Sequence, residues 1–305
     1  MNKANQVFST RGLYAIVVIA AMAGTACPLA FSDSDAPADQ ISFAIIGDSG
    51  SGNKRQYDVA RQMEVAREKT GFDFVLMLGD NIYPDGSSRY FKARFEEPYK
   101  DLLKAGVRFY PALGNHDVAH GTTAGTTYPQ FEMNGQRYYT FVKGGGLAQF
   151  FALDSTKMRK EQLDWFEKEL KTSKARWKIA FFHHPIYCSA RRHGSDKTLR
   201  AKLEPLFIEY GVNAVFAGHD HVYERLKPQH GVYYFTEGAS GQLRKHNLDR
   251  SADIYESGND EMASFLLVNV RSSGIKVEAI GADGSMLDTA MVPKASKDIV
   301  GGSSQ

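Results

Sequence analysis

The sequence predicts an α/β protein in which two packed mixed sheets carry helices on their outer faces, a four-layer α-β-β-α sandwich. Two observations support this. Apolar runs of strand length alternate with stretches of helical spacing in both halves of the chain, and 305 residues at 43% hydrophobic content can bury one large core. Neither a second domain nor an internal repeat is indicated. The net charge of +2, with basic residues interleaved among acids, argues against a nucleic-acid polymer as partner.

The chain divides into an export signal over 1–30, a linker over 31–40, the folded domain over 41–293 and a flexible tail over 294–305. Lys3 and Arg11 precede an apolar stretch of 14 residues from Leu13 to Ala26, too short for a membrane span of about 20, and a polar segment follows. Cleavage after Ala23 or Ala30 would leave the protein periplasmic or secreted. Gly24-Thr25-Ala26 before Cys27 partly resembles a bacterial lipoprotein site, with Gly24 where Leu is usual, so lipid anchoring through Cys27 is the second option and the only route to a membrane. Without Cys27, Cys188 stands alone, and it reads as a small buried apolar residue.

Within the domain, 41–47 is a strand, 55–69 has helical spacing, and 72–78 is an apolar strand, giving a βαβ unit with a parallel pair. A second helical pattern, 90–104, precedes a strand at 107–113. Residues 138–142 and 148–153 read as a hairpin around Gly144-Gly145-Gly146, a turn rather than a phosphate cradle because no helix start follows it. Then come a helix at 161–170, a strand at 177–182, a helix at 199–210 and strands at 213–217, 232–236, 264–270 and 275–280. Trp165, Trp177 and most Phe and Tyr residues are assigned to packing.

Five short segments interrupt this pattern, each after an apolar run: Gly47-Asp48-Ser49-Gly50, Gly79-Asp80-Asn81-Ile82-Tyr83, Gly114-Asn115-His116-Asp117, His183-His184-Pro185 and Gly218-His219-Asp220-His221. Alone, a Gly-Asp-x-Gly is more often a turn than a ligand site. His219-x-His221 says more, because alternate residues of an extended chain share a face. Jointly, oxygen and imidazole donors at the ends of five strands point to one dinuclear metal site at the rim of a sheet.

The order and chemistry of these segments resemble the calcineurin-like metallophosphoesterases and, within them, the small purple acid phosphatases related to mammalian tartrate-resistant acid phosphatase. The resemblance runs from about Ile41 to Met286. Its specific mark is Asp48-x-Gly50, where most of the superfamily has a His two residues after the Asp, together with Tyr83 as a replacement donor. A phenolate is a hard anionic donor that favours a trivalent ion. The resemblance implies Fe(III) on Asp48, Asp80, Tyr83 and His221, and a divalent Zn, Mn or Fe on Asp80, Asn115, His183 and His219, with Asp80 shared. His183 is taken as the ligand because the family's ligand stands two residues before the proline; His184 is left as a substrate contact.

The implied activity is acid phosphatase: hydrolysis of phosphate monoesters by direct attack of a metal-bound hydroxide, without a phosphoenzyme. A phosphodiesterase or nucleotide hydrolase on the same metals is the alternative. Small phosphate esters are the expected partners, with phosphorylated peptides and nucleotides as further candidates. His116 is the candidate general acid, since imidazole titrates in the working range, and Asp117 is expected to orient it. His193 resembles a histidine that helps bind phosphate and protonate the product in the small enzymes, and Arg191 and Arg192 are candidate phosphate contacts. The polar 120–127 loop reads first as a mobile surface loop and otherwise as part of the pocket lining. Val222-Tyr223-Glu224-Arg225 is read as packing and support for the ligands.

Overall fold

A computed structural model describes residues 39–294 together with Met1; the expected export signal, Cys27, most of the linker and residues 295–305 lie outside the described residues. Strand β1 (Gln40–Ile46) sorts its side chains by parity. Phe43 and Ile45 point into the inter-sheet core, whereas Ala44 and Ile46 pack outward with Val59, Ala60 and Met63 of α1 (Lys54–Thr70). That helix starts at Asn53, whose side chain accepts from Gln56 N, and stops at Gly71, left-handed at φ 67°.

β2 (Phe74–Met77) returns parallel to β1, completing the expected βαβ unit. The helix expected over 90–104 is instead broken into a 3-10 turn at Ser88–Tyr90, a π-helical turn at Lys92–Glu96 and a five-residue α2 (Lys100–Lys104). Pro98 explains the break. It has no N–H to donate to Arg94 O four residues earlier, and Gln56 Nε2 of α1 takes that carbonyl at 2.6 Å. The apolar spacing survives the break, so Phe91, Phe95, Tyr99 and Leu102 are still buried under the first sheet's outer face.

β3 (Arg108–Pro111) extends the sheet parallel to β2. β4 (Tyr139–Lys143) and β5 (Ala148–Ala152) form the expected antiparallel hairpin, and α3 (Lys160–Thr172), β6 (Trp177–Phe182), α4 (Lys197–Glu209) and β7 (Ala214–Ala217) continue in parallel crossovers. β8 (Tyr223–Leu226), β9 (Tyr233–Glu237), β10 (Tyr255–Asn259), β11 (Ser264–Arg271), β12 (Gly274–Gly281) and β13 (Met286–Pro293) complete two mixed sheets, ordered β13-β12-β11-β1-β2-β3 and β10-β8-β9-β7-β6-β5-β4. Phe150, Ile179, Phe181 and Phe216 of the second sheet face Phe43, Phe74, Leu76 and Val268 of the first; Phe166, Leu170, Leu203 and Phe207 of α3 and α4 cover its outer side. The result is the α-β-β-α sandwich the sequence predicts. β1, β2, β3, β6 and β7 end in the five donor segments, so the parallel strands of both sheets deliver them to one rim.

Candidate metal centre

Asp48 and Asp80 leave their strands in left-handed conformations, φ 52° and 51°, which turn both carboxylates back over the strand ends. Both are buried. Asp48 Oδ1 lies 3.1 Å from the Tyr83 hydroxyl and 3.3 Å from His221 Nε2, and its Oδ2 accepts His219 N at 2.7 Å. Tyr83 is itself 3.3 Å from His221 Nε2. On the other side, Asp80 Oδ1 accepts His116 N at 2.8 Å while Oδ2 stands 3.5 Å from His183 Nε2. His183 Nε2 is also 3.1 Å from Asn115 Oδ1 and 3.2 Å from His219 Nδ1. All seven sequence-predicted donors therefore converge.

The lone pairs of this cluster are arranged for cations. His183 Nδ1 lies 2.9 Å from Leu78 O, so it carries the hydrogen and Nε2 presents a lone pair. That lone pair stands among Asn115 Oδ1, Asp80 Oδ2 and His219 Nδ1, three further atoms with lone pairs that a cation could share. Burial, then the charge of Asp80, raises the Asp48 carboxyl well above its usual range, and burial likewise raises Asp80. The imidazoles move the other way: burial lowers His183 strongly, takes His219 down to about 2 and His221 to about 4. Neutral imidazoles are the form that binds a metal, and the raised carboxyls mark buried acidic groups with no counter-cation beside them, which a metal ion would supply. Burial, followed by the charges of Asp48 and Asp80, pushes the Tyr83 phenol far above 10.0, so a phenolate at this position needs a cation of high charge against it. The donor set fits two metal ions.

Around this cluster the structure corrects two expectations and places the others. Asp117 does not orient His116. Its carboxylate accepts from Asn81 N, Asn81 Nδ2, Ile82 N and Gly114 N at 2.9–3.1 Å, tying the Asp80 turn to the Asn115 turn, and burial followed by the Asp80 charge raises its carboxyl to about 8. His116 is held instead by Pro84 O, 2.6 Å from its Nδ1, with its ring 4.5 Å from that of Tyr83. Arg191 faces Asp249 at 3.7 Å rather than the donors. His184 Nδ1 meets Ser155 Oγ at 2.9 Å, and its ring lies 4.5 Å from that of His219; His183, His184 and His219 hold nitrogens within 4.8 Å of one another. The exposed His193 ring is 4.2 Å from that of His219. Arg192 is exposed in the same loop.

Sequence reasoning gave Asp220 no role and Glu224 only a general supporting one. Asp220, between the two histidines of its motif, accepts His193 N at 3.4 Å and Gly194 N at 3.0 Å, which fixes the His193 loop. Glu224 accepts both the N–H and the hydroxyl of Ser189, giving the support expected of its segment a specific target. Cys188 is buried with its Sγ 3.5 Å from Asp220 Oδ2, and burial pushes its thiol up. For Asp220 the available signal was the alternation His219-Asp220-His221, a polar residue between two histidines.

Residues 41–223 match the sequence profile of the calcineurin-like phosphoesterases. The chain belongs to this family. Within it the chain is 31% identical to purple acid phosphatase 17 of Arabidopsis thaliana over 68% of its own length and 71% of the relative's, and 25% identical to rat tartrate-resistant acid phosphatase type 5 over 85% and 92%. Purple acid phosphatase PPD1 from yellow lupin seeds shares the fold, with a TM-score of 0.72 at 18% identity over 87% of this chain and 55% of that one. This phosphoesterase is thus a hydrolase of the purple acid phosphatase group, and metal use comes with the family.

Close packing between the metal-site turns of this phosphoesterase gives a first prediction. A Cβ at Gly114 would stand 2.2 Å from both the backbone N and the Oδ1 of Asp80. Gly114→Ala must therefore displace Asp80, and a shift near 1 Å is expected to lower kcat about a hundredfold. Turnover of an aryl phosphate, with metal content by emission spectrometry, checks this; a variant with unchanged kcat would show the two turns to be loosely coupled.

Proposed function

We propose that this chain is an acid phosphatase acting on phosphate monoesters at a dinuclear Fe(III)–M(II) centre, with M being Zn, Mn or Fe. Asp48, Asp80, Tyr83 and His221 would hold the iron; Asp80, Asn115, His183 and His219 would hold the divalent ion. The single observation carrying the iron assignment is the buried Tyr83 hydroxyl against Asp48 Oδ1 and His221 Nε2. When bound, the two cations supply charge neutralisation for the phosphoryl oxygens and the Lewis acidity that makes a water nucleophilic below neutral pH.

The chain's own side chains do the rest. Pro84 O accepts the Nδ1 hydrogen of His116, so Nε2 is the nitrogen free to deliver a proton to the leaving oxygen. Ser155 Oγ accepts the His184 backbone N–H and lies 2.9 Å from His184 Nδ1, which fixes the ring and turns Nε2 to the phosphoryl oxygen it would bind. His193, held by Asp220, is the second phosphate contact, and Arg192 adds positive charge. Export, with Cys27 lipidation as its anchored variant, rests on residues 1–30 alone.

Tyr83→Phe should abolish the visible phenolate-to-iron charge-transfer band of the purified protein. An unchanged spectrum refutes the iron assignment, and metal analysis should return iron with an equimolar divalent ion. A substrate panel separates the two activities, because turnover of diesters in preference to monoesters would replace this reading with the diesterase one.

A further inference from the structure

Behind Asp48 lies a buried carboxyl to which the mechanism gives no part. Glu237 closes β9 in the second sheet, wholly buried and without an ion pair among the described residues. Three donors meet it instead: Ser264 Oγ at 2.9 Å, Ala239 N at 3.0 Å and Ser240 Oγ at 3.4 Å. Ser264 opens β11, which pairs with β1 in the first sheet, so this carboxyl joins the two sheets at the rim where the donor turns lie. Ser240, also buried, then grips the turn that carries Asp48. Its Oγ accepts Gly47 N and its backbone N donates to Gly47 O, both at 3.2 Å. The fit leaves no slack: a Cβ at Gly47 would overlap Glu237 O, and one at Gly238 would stand 2.9 Å from Asp48 Oδ2. Gly238 N also donates to Val222 O at 3.0 Å, one residue beyond His221.

Asp48 is left-handed at φ 52°, a conformation that an L-residue keeps only where its surroundings hold it. The proposed iron site also draws on both sheets, taking Asp48, Asp80 and Tyr83 from turns after strands of the first and His221 from the second. Its geometry therefore depends on how the two sheet ends are fixed to each other. Burying a carboxyl is unfavourable unless its oxygens are satisfied, and here the donors that satisfy them come from β11 and from the turn that grips Gly47. We propose that Glu237 and Ser240 are positioning residues for the iron half of the centre: the Gly47 N–H, the Ser240 hydroxyl and the Glu237 carboxyl form one chain of hydrogen bonds that sets Asp48 against His221. This rests on the dinuclear reading above for the ion it positions.

Metal-loaded wild type, Ser240→Ala, Glu237→Gln and Glu237→Ala test it through the visible band, the metal retained against EDTA, and kcat and KM on an aryl phosphate, alongside melting of the metal-free proteins. Ser240→Ala leaves the bonds of Glu237 to Ala239 and Ser264 in place. It should shift the band, lower by about tenfold to a hundredfold the EDTA concentration that strips the first ion, and lower kcat more than it raises KM. Glu237→Ala should do at least as much, and where it fails to fold Ser240→Ala decides alone. Glu237→Gln should recover most of the wild-type values. Burial raises this carboxyl to about 8, and an uncharged amide of the same shape offers an oxygen to Ala239 N and Ser240 Oγ and a hydrogen to Ser264 Oγ. A lower melting temperature in Ser240→Ala with band, metal retention and kcat unchanged makes the pair a structural staple and overturns the inference, as does a Glu237→Gln protein damaged as much as Glu237→Ala. A wild type that holds metal without a visible band refutes the iron assignment alone, since metal retention still ranks the variants; a wild type that holds no metal overturns both.

Discussion

Asp80→Ala should remove activity altogether, with a loss in kcat of about a thousandfold or more, because one side chain faces both proposed ion positions. Asp80 lies 3.5 Å from His183 Nε2 on one side, and its charge, with that of Asp48, raises the Tyr83 phenol on the other. Removing it takes the shared anion from both cations at once, so bound metal should fall from two ions per chain to one or fewer. Asp80→Asn keeps the shape and one oxygen donor but not the charge, and it should lie close to alanine in kcat while retaining more metal. The metal-free protein should behave differently. A carboxyl whose pKa rises on folding disfavours the folded state once the pH exceeds its unfolded value, so stability at neutral pH should not fall when it is removed. Full metal content in Asp80→Ala, or turnover within tenfold of wild type, would remove Asp80 from the centre; a large fall in the melting temperature of the metal-free variant would mean the carboxyl is a structural element instead.

The same physics decides how much of the site was legible beforehand. Asp48, Asp80, Asn115, His183 and His219 stand one to four residues beyond parallel strands, so the strand ends fix where these short turns begin. An apolar run followed by Gly and a donor therefore marks both an element and a position at the sheet rim. Ser155 reaches His184 from a short 3-10 turn after β5, where no strand period links spacing to direction, so nothing in the chain announces it. The fold shows the same division. β8, β10 and β13 escaped notice because Tyr223-Glu224-Arg225-Leu226 and Tyr255-Glu256-Ser257-Gly258-Asn259 are too polar and short, while β13 leaves much of its length exposed. The polar character of β8 has a purpose visible only in three dimensions. Tyr223 and Arg225 both meet Asp288 of β13 at 2.7 Å, whereas Glu224 faces Ser189.

His116→Ala separates proton delivery from phosphoryl binding. With Nδ1 committed to Pro84 O and the backbone N to Asp80 Oδ1, the ring has one remaining nitrogen, Nε2, which stands 3.9 Å from Asp80 Oδ2. A group held this way acts on the leaving oxygen, and its value depends on how much that oxygen needs a proton. An alkyl phosphate expels a strongly basic alkoxide, so its kcat should fall by about a hundredfold to ten-thousandfold. An activated aryl phosphate, such as a nitrophenyl ester, expels a stable phenolate and should lose about tenfold or less. KM should change little in both cases, because losing an interaction made only in the transition state lowers kcat and kcat/KM together. The expected signature is thus a steeper dependence of rate on leaving-group pKa in the variant than in wild type. Parallel dependences, with equal losses on both esters, would exclude His116 as the acid and leave it a phosphate-binding residue. His193, whose ring also borders His219, would then be the next group to carry the proton.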